Sequence, residues 1–523
     1  MKEKNYSLEI INAINEGRIA SPEQLNKFKL KLAKKFALSS LPSNPTILSY
    51  ARHRNKKLLE LLSIKPVRSL SGIAVVSIMP KPFKCPGECI YCPSGWKGIQ
   101  TPKSYTGKEP ATMRALSNEF DAEKQIHNRI EQLETIGKST EKIELIVMGG
   151  TFPASPLSHQ KKFMLECFNA VNRKKTSSLE KAKKMAETSR NRLIGITFET
   201  RPDYCRKKEI NRMLSFGGTR VELGVQNIDD FIYKKINRGH TVKDVIESTS
   251  LLKDSAFKVA YHLMPGLPFS NKKKDLKMFK EIFSNPSFKP DMLKIYPCLV
   301  IEGTKLHDKW KKKEFTPLST KKAAELIAEA KTFFPKWMRV MRIQRDIPST
   351  IVSAGVKHTN LRQLVKEKTR EKGIKCNCIR CREIGHKKIN PSKLKEPRIL
   401  VEEYEASNGH EFFISMEDVK NDLLYGFCRL RIPFKPFRKE ISPRSALIRE
   451  LHVYSQALPL GKKPSSLEFQ HRGFGRRLLE KAEELSKEEF NYNKLTVISG
   501  IGAKPYYRAL NYYNDGFYLS KSL

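Results

Sequence analysis

Apolar residues along this chain recur in two rhythms, and the change from one to the other divides the sequence. From residue 70 to about 350, short runs rich in Val, Ile and Leu alternate with polar segments of helical period. The runs are IAVVSIMP (73–80), KIELIVMGG (142–150), RLIGITFETRP (192–202), RVELGVQ (220–226), KVAYHLMPGLP (258–268) and MLKIYPCLV (292–300). Strands alternating with helices predict an α/β fold, a parallel sheet open or partly closed as a barrel. Functional groups then belong at the C-terminal ends of the strands, where Cys85, Gly149, Glu199, Gln226 and His262 fall. From 397 to the end (397–523) the order is strand, strand, strand, strand, helix, strand, which predicts a separate α+β domain. Residues 1–65 read as short, strongly basic helices. Residues 351–396 lack long apolar runs, are dense in Lys, Arg and Cys, and read as a connector.

Charge sharpens this picture. The 523 residues carry a formal net charge of +43. Such an excess stores self-repulsion that a polyanion relieves, so nucleic acid is the expected partner. In the first region Lys27, Lys29, Lys31, Lys34 and Lys35 interleave with Phe28, Leu30, Leu32 and Phe36, and Arg52, His53, Arg54, Lys56 and Lys57 crowd together further on. That is a surface suited to phosphates. No run of 18 apolar residues exists and the N-terminus has no apolar leader, so no membrane span is expected and the cytoplasm is the expected location.

Six of the ten cysteines sit in two clusters. The first, KCPGECIYCPSG, places Cys85, Cys89 and Cys92 as C-x-x-x-C-x-x-C directly after a predicted strand. Three thiolates on a cubane of four irons leave one iron without a protein ligand. That open position suits S-adenosylmethionine (SAM), whose reductive cleavage gives a 5′-deoxyadenosyl radical. A zinc knuckle is the competing reading, but it needs a fourth ligand, and the next histidine is His127. Gly149 and Gly150 end the following strand, and their backbone carbonyls are candidates for the ammonium of the methionine moiety. The second cluster, KCNCIRCREIGH, supplies Cys376, Cys378 and Cys381, with His386 beyond and His358 upstream. Three thiolates and one imidazole complete a structural zinc site, the fourth ligand open between the two histidines. Lys375, Arg380, Arg382, Lys387 and Lys388 would put that knuckle on a phosphate-binding surface.

Near the C-terminus, QHRGFGRR (470–477) sets Q-x-x-G-x-G at the mouth of a helix. Successive backbone N–H groups there, with the helix dipole and Arg472, Arg476 and Arg477, suit a pyrophosphate. The strand ELHVY precedes it and VISGIGAKPYYRALNY follows. This order resembles the Gcn5-related acetyltransferase fold. There a splayed strand pairs with pantetheine, and a tyrosine such as Tyr506 or Tyr507 lies near the thioester.

Together these pieces resemble the catalytic subunit of the Elongator complex in its archaeal or bacterial single-chain form. The likeness runs through SYTGKEPATMRA (104–115), IVMGGTF (146–152), ITFETRPDYC (196–205), VELGVQ (221–226), NRGHTV (237–242), RIQRDIP (342–348), RELHVY (449–454), QHRGFG (470–475) and VISGIGAKPYYR (497–508). It implies synthesis of 5-carboxymethyluridine at the tRNA wobble position. In that scheme a deoxyadenosyl radical takes hydrogen from the methyl group of acetyl-CoA, the carbon radical adds to C5 of the uracil, and thioester hydrolysis releases CoA. The resemblance assigns Lys142, Glu450, Leu451, His452, Val453, Gly473, Phe474, Gly475 and Tyr506 to acetyl-CoA. It makes the tRNA anticodon stem-loop the partner, and leaves open a homodimer and accessory Elongator-type subunits. Eukaryotic relatives have longer spacing in the first cysteine cluster and lack most of the second. A wobble base must leave its stack to react, and Tyr296, Arg342 and Arg345 are candidates to receive it. The rival readings are a protein lysine acetyltransferase with a structural iron–sulfur cluster, and a non-catalytic tRNA-binding scaffold.

Overall fold

The computed structural model describes residues 2–38, 41–51, 53, 55–62, 72–387, 390–454 and 473–523. Arg52, Arg54, Lys388 and Arg472, singled out by charge, lie outside the described residues.

The six apolar runs form β1 (Ile73–Ile78), β2 (Lys142–Val147), β3 (Arg192–Thr200), β4 (Arg220–Gln226), β5 (Lys258–Leu263) and β6 (Met292–Ile295). After the short β7 (Val300–Ile301) comes β8 (Arg339–Ile343), which the apolar pattern does not announce; β7 itself pairs with β9 (Val352–Ala354). The sheet order is β1-β2-β3-β4-β5-β6-β8, and every neighbouring pair is parallel. Helices on its outer face bury Phe163, Phe168, Ile210, Phe279 and Ile327, and the sheet curls into a partial barrel with β1 and β8 as its edges. Each crossover helix covers the outer face, and the curl of the sheet encloses the inner one.

The N-terminal region is helical, as its periodicity predicts. Helix Pro22–Lys35 opens on a capping box in which Ser21 and Gln24 satisfy each other's backbone N–H groups. It buries Leu25 and Leu32 in the same core as Tyr6, Ile10 and Ile14 of helix Lys2–Asn15. Lys27, Lys31, Lys34 and Lys35 stay exposed, whereas Lys29 is drawn inward to Asn44 Oδ1 at 2.6 Å.

The second sheet comprises β10 (Arg398–Ala406), β11 (Gly409–Asp418), β12 (Leu423–Ile432), β13 (Ser445–Val453), β14 (Lys494–Val497), β15 (Tyr513–Asp515) and β16 (Tyr518–Ser522). Their order is β10-β11-β12-β13-β14-β16-β15, antiparallel except for the β13–β14 pair. That one parallel pair covers only Ser445–Ile448, so Glu450–Val453 keep their β12 neighbours but run free of β14.

This sheet docks on the N-terminal ends of the barrel strands. Asp291, just before β6, accepts from Arg449 Nη1 (2.8 Å) and Nη2 (2.6 Å). Glu411 accepts from Arg449 Nη2 at 2.7 Å and from Arg431 Nη1 at 3.0 Å, and Lys253 Nζ donates to it at 3.3 Å. Arg431 also reaches Asp254 at 2.6 Å, and Arg429 Nε reaches Glu450 at 2.9 Å. The side chains of Asp291, Glu411, Lys253, Arg431 and Arg449 are fully buried. Two glycines complete the seam by close approach. A Cβ on Gly500 would stand 2.1 Å from Ile194 O, and one on Gly502 2.6 Å from Arg192 Cβ.

The connector bridges both sheets rather than lying over them. Ile379 N donates to Met338 O at 2.9 Å, and Arg382 bonds Asp422 Oδ1 at 2.8 Å and also meets Glu417. Arg382 is therefore buried and unavailable to phosphate, contrary to the expectation from its lysine- and arginine-rich surroundings.

Candidate active site

The cysteine loop leaves β1 and curves over the C-terminal mouth of the barrel. Cys85, Cys89 and Cys92 line one cavity there, together with Gly150, Glu199, Gln226, His262, Tyr296, Arg342 and Arg345. The sulfurs sit in a cationic, donor-rich setting. Arg238 Nη1 donates to Cys89 Sγ at 3.2 Å, and Gly87 N donates to Cys85 Sγ at 3.4 Å. Burial alone would raise the Cys89 thiol, but the charge of Arg238 outweighs it and the thiol falls below its ordinary range. Cys92 is pushed up to about 12 by burial and then by the negative charge of Cys89 and Cys85. Three sulfurs gathered in a basic pocket, which disfavour one another's negative charge until a cation binds, are a donor set for a multi-iron cation, so the loop fits a [4Fe-4S] cluster. Arg238 is itself aimed by His240, whose Nε2 accepts from Arg238 Nε at 2.9 Å. Burial and the nearby guanidinium groups of Arg238 and Arg201 depress His240 to about 3, which keeps it a neutral acceptor.

Deeper in the lumen, register brings opposite charges together. Glu199 and Glu222 are cross-strand partners on β3 and β4, and His262 and Lys294 on β5 and β6. His262 Nε2 lies 2.8 Å from Glu222 Oε2, Lys294 Nζ meets the same carboxylate, and Tyr105 Oη donates to Glu199 at 2.7 Å. Burial opposes the charge on Glu222, yet Lys294, His262 and Arg220 hold it far below the usual carboxylate range. Four residues lining this cavity carry a buried polar atom without a hydrogen-bond partner among the described residues: Tyr91 Oη, Arg201 Nη1, Glu222 Oε1 and Gln226 Oε1. Gln226 has φ 68°, the left-handed region, which a non-glycine residue adopts only when held there. These orphaned groups, with the Gly149 and Gly150 turn (φ 125° and 80°), are a cradle for a polar cosubstrate, and they fit SAM. Tyr296 packs edge-on against His262 at 5.4 Å, and Arg345 lies over the Tyr105 ring at 5.8 Å.

The residues expected at acetyl-CoA gather at the other mouth. Glu450, Leu451, His452 and Val453 are the stretch of β13 freed from β14, so one backbone edge is open for an extended ligand. Gly473 caps helix Phe474–Glu484 in the left-handed conformation (φ 76°), and Phe474 anchors that helix in the core. A Cβ on Gly475 would stand 3.0 Å from Tyr506 Oη and 3.8 Å from both Leu451 and Val453, so β13, the helix start and Tyr506 converge. Tyr507 is buried in the sheet core, whereas Tyr506 is 43% exposed. Lys142 begins β2 beside Arg192, whose backbone lies under Gly502. Burial, then repulsion from Arg192, lowers its ammonium.

The second cysteine cluster is tight. The sulfurs of Cys376, Cys378 and Cys381 all lie within 4.8 Å of one another, as thiolates around one zinc would. No imidazole nitrogen joins them among the described residues. His386 Nε2 pairs with Glu383 at 2.6 Å, and His358 is exposed with its carbonyl bonded to Gln344. The group nearest the sulfurs is Lys331 Nζ, 3.2 Å from Cys376 and 3.7 Å from Cys381.

A three-thiol loop at the head of a parallel partial barrel defines a radical SAM protein, and residues 79–282 match the Radical SAM superfamily. Residues 290–371 match the Radical SAM C-terminal domain and residues 4–70 the ELP3 N-terminal domain. The chain is 51% identical to the tRNA uridine(34) acetyltransferase of Methanocaldococcus jannaschii, over 98% of this chain and 96% of that relative. It is 42% identical to Elongator complex protein 3 of Homo sapiens, over 95% of this chain and 93% of the relative. The structure of the archaeal Methanocaldococcus infernus Elp3 with an N-terminal deletion (1–46) superposes with a TM-score of 0.77 at 48% identity, covering 86% of this chain and 99% of that one. The chain belongs to the Elongator catalytic-subunit family.

Glu222, Lys294, Arg238 and the Asp291–Arg449 seam escaped the sequence reading. A signal existed for the first two: VELG and MLKIY each set one charge inside an apolar strand, a position tolerated only when an opposite charge faces it.

Proposed function

We propose that this chain modifies the wobble uridine of tRNA, carrying the acetyl carbons of acetyl-CoA to C5 of the base to give 5-carboxymethyluridine and free CoA. The C5 hydrogen leaves as a proton, its electron returns to the donor that reduced SAM, water cleaves the thioester, and methionine and 5′-deoxyadenosine are released. The observation that carries the reading is that one barrel has a thiolate-bearing, cationic cavity at one mouth and an open β13 edge at the other. When bound, the cluster and SAM supply one-electron chemistry able to take a hydrogen atom from an unactivated methyl group.

The chain's own residues do the rest. Cys85, Cys89 and Cys92 would hold the cluster, with Arg238 fixing the most acidic thiolate. Gly149, Gly150, Gln226 and Arg201 would orient SAM. The Glu450–Val453 edge would hydrogen-bond pantetheine, the turn Gly473–Gly475 would take the pyrophosphate, and Tyr506 would sit by the thioester. Lys142 would meet the coenzyme from the barrel side. Tyr296, Arg342 and Arg345 would receive the flipped uridine, and Lys294, kept cationic by Glu222, lines the same cavity. Residues 1–65 offer the tRNA a basic surface, and Cys376, Cys378 and Cys381 would hold a structural zinc that stiffens the connector. Such a role belongs in the cytoplasm; among the described residues no helix is long and apolar enough to cross a membrane.

The test is anaerobic incubation of reconstituted protein with tRNA, methyl-labelled acetyl-CoA, SAM and a reductant. Label should appear in 5-carboxymethyluridine, together with 5′-deoxyadenosine, and Cys→Ser changes in the first cluster should abolish both. Labelled lysines with unlabelled uridine would establish the protein acetyltransferase reading instead.

A further inference from the structure

Large apolar side chains on this surface are mostly scattered singly, but two of them touch. Phe231 and Phe269 are 52% and 50% exposed, and their rings meet edge to face with centroids 6.0 Å apart. Lys235 Nζ lies 5.5 and 5.4 Å from the two ring centroids, and Lys274 Nζ lies 5.7 Å from that of Phe231. Phe231 sits just past the end of β4 and Phe269 just past the end of β5. Gln226 and Met264, at the ends of those strands, line the thiolate cavity, so the pair belongs to the segments that leave the cavity wall.

The backbone under this pair is costly. Phe269 has φ 68°, a left-handed conformation that is an outlier for a bulky residue. Asp275, fully buried, enforces it by accepting from Gly266 N at 2.7 Å and Ser270 Oγ at 2.6 Å, and Lys274 Nζ grips Phe269 O at 3.0 Å. Strained residues persist where function uses them. Here the strain gains no burial, because it presents the ring to solvent. Lysines also flank Trp96, with Lys97 and Lys108 at 4.6 and 5.7 Å from its ring, but that ring is partly buried against the core.

Aromatic faces flanked by ammonium groups match the two halves of an unpaired nucleotide, a base to stack and a phosphate to neutralise. Within a chain of net charge +43, that partner is also the one electrostatics favours. We propose that Phe231 and Phe269, with Lys235 and Lys274, form a stacking platform for an unpaired loop base next to the uridine held in the cavity. The proposal rests on the reading that the substrate is RNA.

The test uses the full chain and an anticodon stem-loop RNA carrying 2-aminopurine beside the target uridine. Wild-type protein should change the probe's fluorescence on binding. Phe231→Ala/Phe269→Ala should weaken binding about tenfold and abolish that change, while the salt dependence of affinity stays the same. Lys235→Ala and Lys274→Ala should each reduce the salt slope by about 0.7. Phe269→Gly, which removes the strain, should lose affinity while keeping or raising the melting temperature. Unchanged affinity and fluorescence in the double Phe variant, with wild-type protein binding normally, would overturn the platform. Failure of wild-type protein to bind the stem-loop at all would instead refute the RNA reading beneath it.

Discussion

Replacing Arg449 by Met tests what holds the two sheets together. The change removes the hydrogen bonds from the guanidinium to Asp291 (2.6 and 2.8 Å), Glu411 (2.7 and 3.1 Å) and Phe257 O (2.8 Å). The seam sets Lys253, Arg429, Arg431 and Arg449 against Asp254, Asp291, Glu411 and Glu450, so the loss leaves one unbalanced negative charge with no access to water. Breaking a buried pair in this way costs about 3–5 kcal/mol, because the stranded carboxylate stays desolvated. With the unfolding entropy of a 523-residue chain, about 1 °C per kcal/mol, the melting temperature should fall by roughly 3–5 °C. Asp291→Asn alone should cost a similar amount by stranding Arg449. The double variant restores neutrality, so its cost should fall short of the sum by about 2–3 kcal/mol. Urea titrations of the four proteins, followed by fluorescence, measure this cycle. Costs that add to within about 0.5 kcal/mol, or a single variant costing less than about 1 kcal/mol, would show that the seam is not a coupled network and would refute the reasoning.

The same seam predicts a pH dependence. Burial and then the charge of Arg449 lower the Lys253 ammonium from 10.5 to about 8. The folded protein thus gives up this proton before the unfolded chain does. Stability from this group is full above about pH 10.5 and is lost as pH falls through about 8, a change of roughly 3 kcal/mol. Denaturation midpoints at pH 7.5 and 10 should show the rise, and Arg449→Met should flatten it. Gly475→Ala would drive a methyl group toward Tyr506 Oη, so calorimetry should give about tenfold weaker CoA binding, or about 1.4 kcal/mol, with the fold intact; adding Tyr506→Phe should recover part of it. Cys378→Ser should lower metal content measured by mass spectrometry from about one zinc per chain to a small fraction, with iron in the first cluster unchanged.

The sheets were legible in the sequence where burial is two-sided. β3, β4 and β6 are buried almost throughout, and the Val, Ile, Leu and Phe positions in them mark them. The strand β8 has no clear apolar run because it is an edge: Arg339, Met341 and Arg342 are only half-buried, and the two arginines interrupt its three apolar positions. The short β15 and β16 escaped for a related reason, since two of the three β15 residues face solvent. For the site, spacing picks out the cysteine loop, because one loop carries all three thiols, whereas the Gly473 turn stands out only through the strand before it and the segment after it. Glu222 and Lys294 lie 72 residues apart and meet only through register across three strands. No local pattern encodes that meeting. Lysine- and arginine-rich composition misled at Arg382, whose charge is spent inside on Glu417 and Asp422.

The seam also bears on how the protein is made. Asp291 and its partner Arg449 are separated by 158 residues, as are Lys253 and Glu411. At about 5–20 residues per second, ribosomes need roughly 8–30 s to add that length. Through this interval the barrel's N-terminal face presents Asp254 and Asp291, whose arginine partners do not yet exist, with Lys253 as a counter-charge already at hand. The barrel therefore cannot reach its final state as an independent first step of synthesis. Its last strands have to wait, half-docked and hydrated, for the second sheet to arrive. Expressed without residues 397–523, the barrel would keep that face wet and would be a client for chaperones rather than a free-standing enzyme.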